Sequence, residues 1–445
     1  MNAKSMLPAI STSRVFMWCK ENPATALFFI GFFTRVAACL VMRSNELWEF
    51  GVIADSILSG KGFSMDRGFG VMPTAYMPPG YTYLVAGSLW LFGLHYGQLV
   101  LFAINCITGA AAAPVAWWFA KDLLKDDRPA FFGALLIAVL PVSVAVVTKM
   151  HSISTNILIL LILSWVCLKW ARAGAVSTLV KFSLLAGVLA GLNGYLRGEA
   201  LLLNLVMFIW VLWIGRKGVC SGKARLASFA GALVVMLIVL SPWIIRNFIE
   251  LKGFVPTTTG SGYNLWRGHN VNANGGGWAE GRIVDSEKGG PGSLSAAELK
   301  EMFQGYDPSK GNPDFYISDF YKVRAIRFIK ENPSRELKLA ANKLFYFFIV
   351  DTNHPLSRKP AYWIWHFVFV WPFVLIALWT GKKQWLGERS LIVLPVMLQA
   401  LLTVAFFFLP RYRLMVDPYL FMIAGVGIAA VFKRPASPDP AIVGK

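Results

Sequence analysis

Two carboxylates, Glu46 and Glu49, stand just beyond the first apolar run of this chain, and arginines mark the ends of several later runs. Apolar residues at 50, 53, 54, 57 and 58 follow the i, i+3, i+4, i+7 spacing of one helix face. That spacing predicts an amphipathic helix over 46–58 lying along a membrane interface, stopped by Gly60 and Gly62. On such a helix Glu46 and Glu49 are i, i+3 neighbours on one face. Paired carboxylates just outside a membrane span could deprotonate an acceptor hydroxyl or bind a metal. The plainer alternative is a pair of solvated charges. Downstream, Pro73 to Tyr81 (PTAYMPPGY) reads as a rigid, extended entry into an apolar helix that begins near its prolines.

The elements that must position these residues are membrane helices. Of 445 residues, 56% are hydrophobic and only 15% charged, too few charges to cover a soluble fold of this size. A cytosolic enzyme, a disordered chain and a coiled coil are excluded. Apolar segments near the ~20 residues of a spanning helix fall at about 24–42, 79–94, 97–120, 130–149, 152–168, 180–195, 198–213, 226–247, 362–380, 390–409 and 414–432. The expected class is an all-α polytopic membrane protein with about 10–11 membrane segments. Two polar stretches, 43–78 and 250–360, are rich in Gly, Asn, Pro and aromatics and read as folded loops. The chain divides accordingly into 1–249, a transmembrane module with the first outer loop; 250–360, a long extracytoplasmic loop; and 361–445, the C-terminal spans with a short cytoplasmic tail. Residues 1–22 read as a cytoplasmic tail leading into the first span, not as a cleaved signal.

The net charge of +19 points to membrane orientation, with nucleic acid not expected as a partner. Lys121, Lys125 and Arg128 lie in one short loop, Lys169, Arg172 and Lys181 in the next, and Arg216, Lys217, Lys223 and Arg225 in a third. Lys382, Lys383 and Arg389 mark a fourth, and Lys433 and Arg434 follow the last span. Placing all of these inside is self-consistent from residue 97 onward. It puts His151, the Arg197–Glu199 turn, 250–360 and Arg411–Arg413 outside. At the front the count conflicts, because eight spans would precede the long loop and turn it inward. Either 79–94 or one of 180–195 and 198–213 does not fully cross, or one basic loop breaks the rule. The five cysteines form no CxxC and the five histidines no HxxxH or HxxE pair, so no metal or cofactor is expected.

The acidic stretch after span one, A-D-S-I-L-S-G-K-G-F at 54–63, P-T-A-Y-M-P-P-G-Y at 73–81, S-P-W-I-I-R-N at 241–247, T-G-S-G-Y-N-L-W-R-G-H-N at 259–270 and P-R-Y-R at 410–413 together resemble glycosyltransferase family 39. That group includes protein O-mannosyltransferases and the lipid A aminoarabinose transferase, enzymes of the GT-C membrane fold. The resemblance implies transfer of a sugar from a polyprenyl-phosphate donor, with inversion, on the outer face of the cytoplasmic (inner) membrane. The expected partners are the lipid-linked donor and membrane lipid, with an acceptor that is lipid, glycan or protein. Counting back from Ala54 sets Phe50 at the family's Tyr position and Glu46 at its essential Asp, while Leu47 replaces the neighbouring acid. The base is then expected among Glu46, Glu49 and Asp55, in that order.

The same resemblance gives the arginines a task. A planar guanidinium binds phosphate bidentately and keeps its proton. Arg411 and Arg413 flank Tyr412, Arg197 sits beside Glu199, Arg246 ends a span, and Arg267 and His269 lie in the Gly/Asn-rich stretch. Snorkelling or simple Arg–Glu pairing is the alternative for each. Arg35, well inside the first span, needs a carboxylate partner or a substrate. Asn272 to Trp278 could cradle sugar hydroxyls and stack a pyranose, or be a flexible tip. The rival class is a flippase of lipid-linked sugars, although no inverted repeat is seen.

Overall fold

Gly93 bears on the span count. Its backbone (φ 70°, ψ 178°) breaks the helix Pro79–Leu124, in a region that L side chains rarely adopt. The chain reverses there: the Asn105 side-chain amide donates to the Tyr81 hydroxyl at 3.4 Å, and a Cβ on Gly97 would lie 2.7 Å from the Ser88 carbonyl. Residues 79–92 therefore fold back on 94–105 as a hairpin arm. Of the expected exceptions, 79–94 is the one that the backbone sets apart from the helix that follows it.

The computed structural model describes residues 18–19, 21–215, 219–277, 293–353, 357, 359–360 and 363–432. Arg216, Lys217, Trp278, Lys433, Arg434 and most of the N-terminal tail lie outside them. In chain order the helices and strands are α1 (Pro23–Met42), α2 (Trp48–Leu58), β1 (Ser64–Asp66), β2 (Val71–Pro73), α3 (Pro79–Leu124), α4 (Asp127–Val139), α5 (Pro141–Ala145), α6 (Ile153–Ala171), α7 (Val176–Leu196), α8 (Ala200–Gly215) and α9 (Gly222–Leu251). There follow α10 (Ser261–Gly268), α11 (Ala296–Gly305), α12 (Pro313–Glu331), α13 (Pro333–Phe348), α14 (Ile364–Phe369), α15 (Trp371–Gly381), α16 (Ser390–Ala405), α17 (Pro410–Leu414) and α18 (Asp417–Val431). Among the described residues six helices are long and apolar enough to cross a membrane, and a bent pair at 127–148 adds a seventh. The helices α8, α16 and α18 are apolar but shorter. This is a multi-pass membrane protein.

The bend has a visible cause. Pro141 lacks the N–H that would bond the Ile137 carbonyl, so the ladder breaks there. Arg35 replaces the missing donors: Nη2 donates to Ile137 O at 3.0 Å and Nη1 to Ala138 O at 3.3 Å. The expected roles for Arg35, carboxylate pairing or substrate contact, are both replaced by this one. At 2% exposure it is a buried cation satisfied by backbone carbonyls, which explains how a span carries it.

Polar contacts sort the loops onto two faces. Asp122 holds Lys125, Lys169 and Arg172 within 3.0 Å, Arg172 also bonds Glu388, and Arg225 donates to Ala171 O. The described basic loops thus meet on one face. On the other, Ser44 N–H donates to Thr148 O, Ser152 to Leu196 O, and the two polar stretches pack against each other.

Asp314 makes that last contact. In the first turn of α12, and 1% exposed, its carboxylate accepts from Thr74 Oγ1 (2.7 Å), Ala75 N–H (2.9 Å), Thr259 Oγ1 (2.8 Å) and Arg67 Nη1 (3.0 Å). It joins the first outer stretch to the second, so 43–78 and 250–360 share a face. Removing a buried charge's partner costs about 3–5 kcal/mol. Asp314→Ala is therefore expected to make the 250–360 stretch several-fold more sensitive to limited proteolysis while helical circular dichroism is kept, with Asp314→Asn intermediate. Unchanged protection in Asp314→Ala would remove its organising role.

Candidate active site

The acidic helix is shorter than its pattern suggests. Trp48 has φ 52°, a left-handed conformation costly for a bulky residue, and α2 begins only there. Glu46 lies before the helix and is exposed, so it does not share a face with Glu49. Asp55 is also exposed. Phe50, Ile53 and Ala54 point inward as the spacing requires, with Phe50 edge-on to Tyr81 and His151. Glu49, half-buried in the first turn, is the carboxylate whose charge acts on both Tyr76 and Arg411.

Around it stands a cluster contributed by four parts of the chain. Arg197, 6% exposed, donates from Nε to Glu199 at 2.7 Å and from Nη2 to the same oxygen. The Tyr412 ring lies between Arg197 (5.8 Å) and Arg411 (5.6 Å), and packs on Phe407, which carries Arg267 at 4.8 Å on its ring. Arg411 keeps an exposed side chain. Burial pulls its pKa down, but Tyr412, Glu199 and Glu49 outweigh this and raise it. Burial would raise Glu199, yet Arg197 and Arg411 hold it below the usual range. Burial first, then the charges of Arg197 and Arg411, push His151 well below its usual value, so it stands neutral in the cluster. Burial, Glu49 and Tyr263 push Tyr76 up to about 12, with Arg67 and Arg267 opposing; the Arg67 guanidinium lies 4.3 Å from its ring centre. Arg197 and Arg411 thus meet at Tyr412, within reach of the Glu49 charge, while Glu199 is occupied by Arg197 and Asp314 by Arg67.

Other expected site residues serve elsewhere. Arg246 donates to Thr74 O (2.7 Å) and Phe63 O (2.6 Å), clamping the first outer stretch onto the end of α9. Arg413 turns inward, donating to Phe347 O at 3.1 Å and facing Asp417 at 3.4 Å. Arg267 donates to Gly277 O. His269 has Nδ1 2.6 Å from Glu336 and Nε2 3.1 Å from Lys343 and 3.0 Å from Ala405 O. The Asn272–Gly277 stretch is neither a flexible tip nor an open cradle. Gly277 N–H donates to Phe408 O (2.7 Å), Phe408 N–H to Gly275 O (3.0 Å) and Gly276 N–H to Asn274 (2.9 Å), so those amides are occupied. Trp278 lies outside the described residues.

Tyr76, inside a motif, and Glu199 and His151, beside expected outer turns, are visible in the sequence, whereas Asp314, Arg67 and Lys343 carry no signal of a site there. Asn312-Pro313-Asp314 reads only as a helix start.

Residues 76–245, less than half the chain, match the dolichyl-phosphate-mannose-protein mannosyltransferase family. The oligosaccharyltransferase AglB of Archaeoglobus fulgidus, solved with an inhibitory peptide and a dolichol-phosphate, aligns with TM-score 0.57 and 12% identity over 93% of this chain and 51% of that one. Its apo form gives 0.55 and 14%, over 93% and 51%. The fold is GT-C. This GT-C chain spans about half the length of the archaeal enzyme, and its resemblance to the mannosyltransferase family rests on the match over residues 76–245. ArnT from Cupriavidus metallidurans bound to undecaprenyl phosphate aligns at TM-score 0.41 and 15% identity, over 95% of this chain and 78% of that one. No curated protein matches the sequence.

Lys343 offers a test of the cluster beside the GT-C recess. It is fully buried, and burial lowers its pKa from 10.5 to about 8, with Glu336 opposing. Between those values the unfolded chain binds more protons, so Lys343 should make stability rise with pH across that window. From pH 7.5 to 9.5 the wild type is expected to gain about 2 kcal/mol relative to Lys343→Met in denaturant unfolding. A difference that is flat or falls with pH would show that burial does not disfavour the charged form of Lys343.

Proposed function

We propose that this protein transfers a sugar from a polyprenyl-phosphate-linked donor to an acceptor on the outer face of the cytoplasmic membrane. The observation that carries this reading is the cluster of Arg197, Glu199, Arg411 and Tyr412 beside the ends of the spans, with Arg197 and Arg411 each against the Tyr412 ring and the Glu49 charge acting on Arg411. The match to a dolichyl-phosphate-mannose family and the dolichol-phosphate in the AglB complex support a polyprenyl-phosphate donor. The gathering of the described basic loops on the face opposite the recess supports an outward site.

In this mechanism the acceptor oxygen attacks the anomeric carbon as Glu49 takes its proton. The bond from that carbon to the phosphate oxygen breaks on the opposite side, inverting the centre, and the oxygen keeps the electron pair. Arg411, supported by Arg197, stabilises the charge that grows there. Tyr76 and Tyr412 frame the sugar between these poles. Glu199 is occupied by Arg197, and Glu46 and Asp55 are solvated, so Glu49 takes first place among the three expected bases. The N-terminal module to residue 249 would supply the base, and the segments from 361 the phosphate arginine, with 250–360 as the outer cover.

Turnover, followed as free polyprenyl phosphate released from a labelled lipid-linked sugar, is expected to fall on the order of 10²-fold or more in Glu49→Gln. Glu46→Gln should stay near normal. Loss in Glu46→Gln alone would move the base to Glu46, and movement of intact lipid without any cleavage by the wild type would identify a flippase.

The arginines separate in the same assay. Arg411→Lys keeps the charge but loses the fork, so turnover at saturating donor should fall at least tenfold, a loss worth about 1.4 kcal/mol in the transition state. In Arg413→Lys the defect should appear in thermal stability and less in turnover. Full activity in Arg411→Lys would sink the phosphate assignment.

A further inference from the structure

Helix α13 has three faces, and only one of them is used by the fold. Leu339, Lys343, Tyr346 and Phe347 are buried against the protein. Leu337, Ala341, Leu344 and Phe345 repeat the same spacing on nearly the opposite side of the helix and are exposed, Leu337 by 75%. Val271, 66% exposed, lies beside the start of this helix, where its carbonyl accepts from Arg335. Arg335 and Lys338 lie exposed on the third face.

The orientation of α13 follows from its tethers. Glu336 in the first turn reaches His269, whose Nε2 lies 3.0 Å from Ala405 O. Seven residues later Lys343 donates to Val404 O at 3.0 Å. Two points about 10 Å apart on α13 are thus held to the same end of α16, so α13 runs across that end instead of extending away from it. At its C-terminus Phe348 packs on Trp371, the first residue of α15, at 5.8 Å. The helix therefore lies at the level where the spans emerge. An apolar stripe of this size left in water would be unfavourable, and cations beside it suit anionic headgroups.

We infer that α13 is an interfacial helix that docks on the bilayer surface. Its Leu337–Phe345 stripe lies in the headgroup–acyl boundary, and Arg335 and Lys338 engage anionic lipid phosphates. This goes beyond glycosyl transfer and does not depend on it.

The test uses the full chain in nanodiscs of phosphatidylcholine with phosphatidylglycerol, read without any activity. Spin labels at Leu337→Cys and Leu344→Cys are expected to relax more readily with oxygen than with a soluble nickel chelate, and a label at Lys338→Cys the reverse. In wild-type protein, lipid carrying a shallow acyl diazirine should photolabel the 334–345 peptide, which keeps the test independent of any variant's folding. Arg335→Glu with Lys338→Glu should lower enrichment of phosphatidylglycerol around the protein several-fold. Nickel access at 337 and 344 equal to that at 338, exclusion of both reagents there (a second copy or protein partner covering the stripe), absent photolabel, or unchanged enrichment would each overturn the docking.

Discussion

One buried carboxylate organises the face on which the chemistry is placed. Asp314 accepts four donors, three of them from Arg67, Thr74 and Ala75 about 240 residues earlier in the chain and one from Thr259, and the outer loops take their positions from it. The charge is tolerable because Arg67 and the first turn of α12 compensate it. Arg67 in turn lies over Tyr76, so the carboxylate that joins the loops also sets one wall of the recess. Arg246 repeats the principle with carbonyls, and Arg35 repeats it inside the spans.

The arginines show how a single residue type is divided among tasks. Arg35, Arg246 and Arg413 give up donors to backbone carbonyls, and a guanidinium whose fork is filled cannot hold a phosphate. Arg197 is matched by Glu199. Arg411 keeps exposed surface and an elevated pKa beside two carboxylates and a tyrosine. What separates it from Arg413, two residues away, is the turn of α17.

Much of this was legible in the amino-acid pattern, because run length and basic loops report directly on the bilayer. The membrane helices follow from apolar runs, and the front conflict already marked 79–94 as a stretch that need not cross. Gly93 hid in that run because one glycine in an apolar helix usually costs little, and only its left-handed backbone turns the chain. Periodicity placed Phe50, Ile53 and Ala54 on the inner face, yet it could not show that Trp48 breaks the helix and separates Glu46 from Glu49. The glycines at 275–277 suggested looseness. Gly275 holds a left-handed backbone, and side chains at 276 and 277 would meet Asp351, Phe407 and Leu409. An interfacial arginine looks the same in sequence whether it meets a carbonyl or a ligand, so Arg246 and Arg411 could be separated only in three dimensions.

The short pairing between Gly275–Gly277 and Phe408 has a consequence in time. It joins the outer stretch to the residues just before Arg411, near the end of the chain, whereas Glu49 is synthesised near the beginning. At about 5–20 residues per second, the ribosome needs roughly 20–70 s to travel from one to the other. Through that interval the first outer stretch waits at the membrane with its recess open, and neither Arg411 nor the Phe407–Tyr412 stack exists. On the mechanism proposed above, the nascent protein holds only the carboxylate half of its site during insertion, and a chain ending before Arg411 would leave that carboxylate with nothing opposite it.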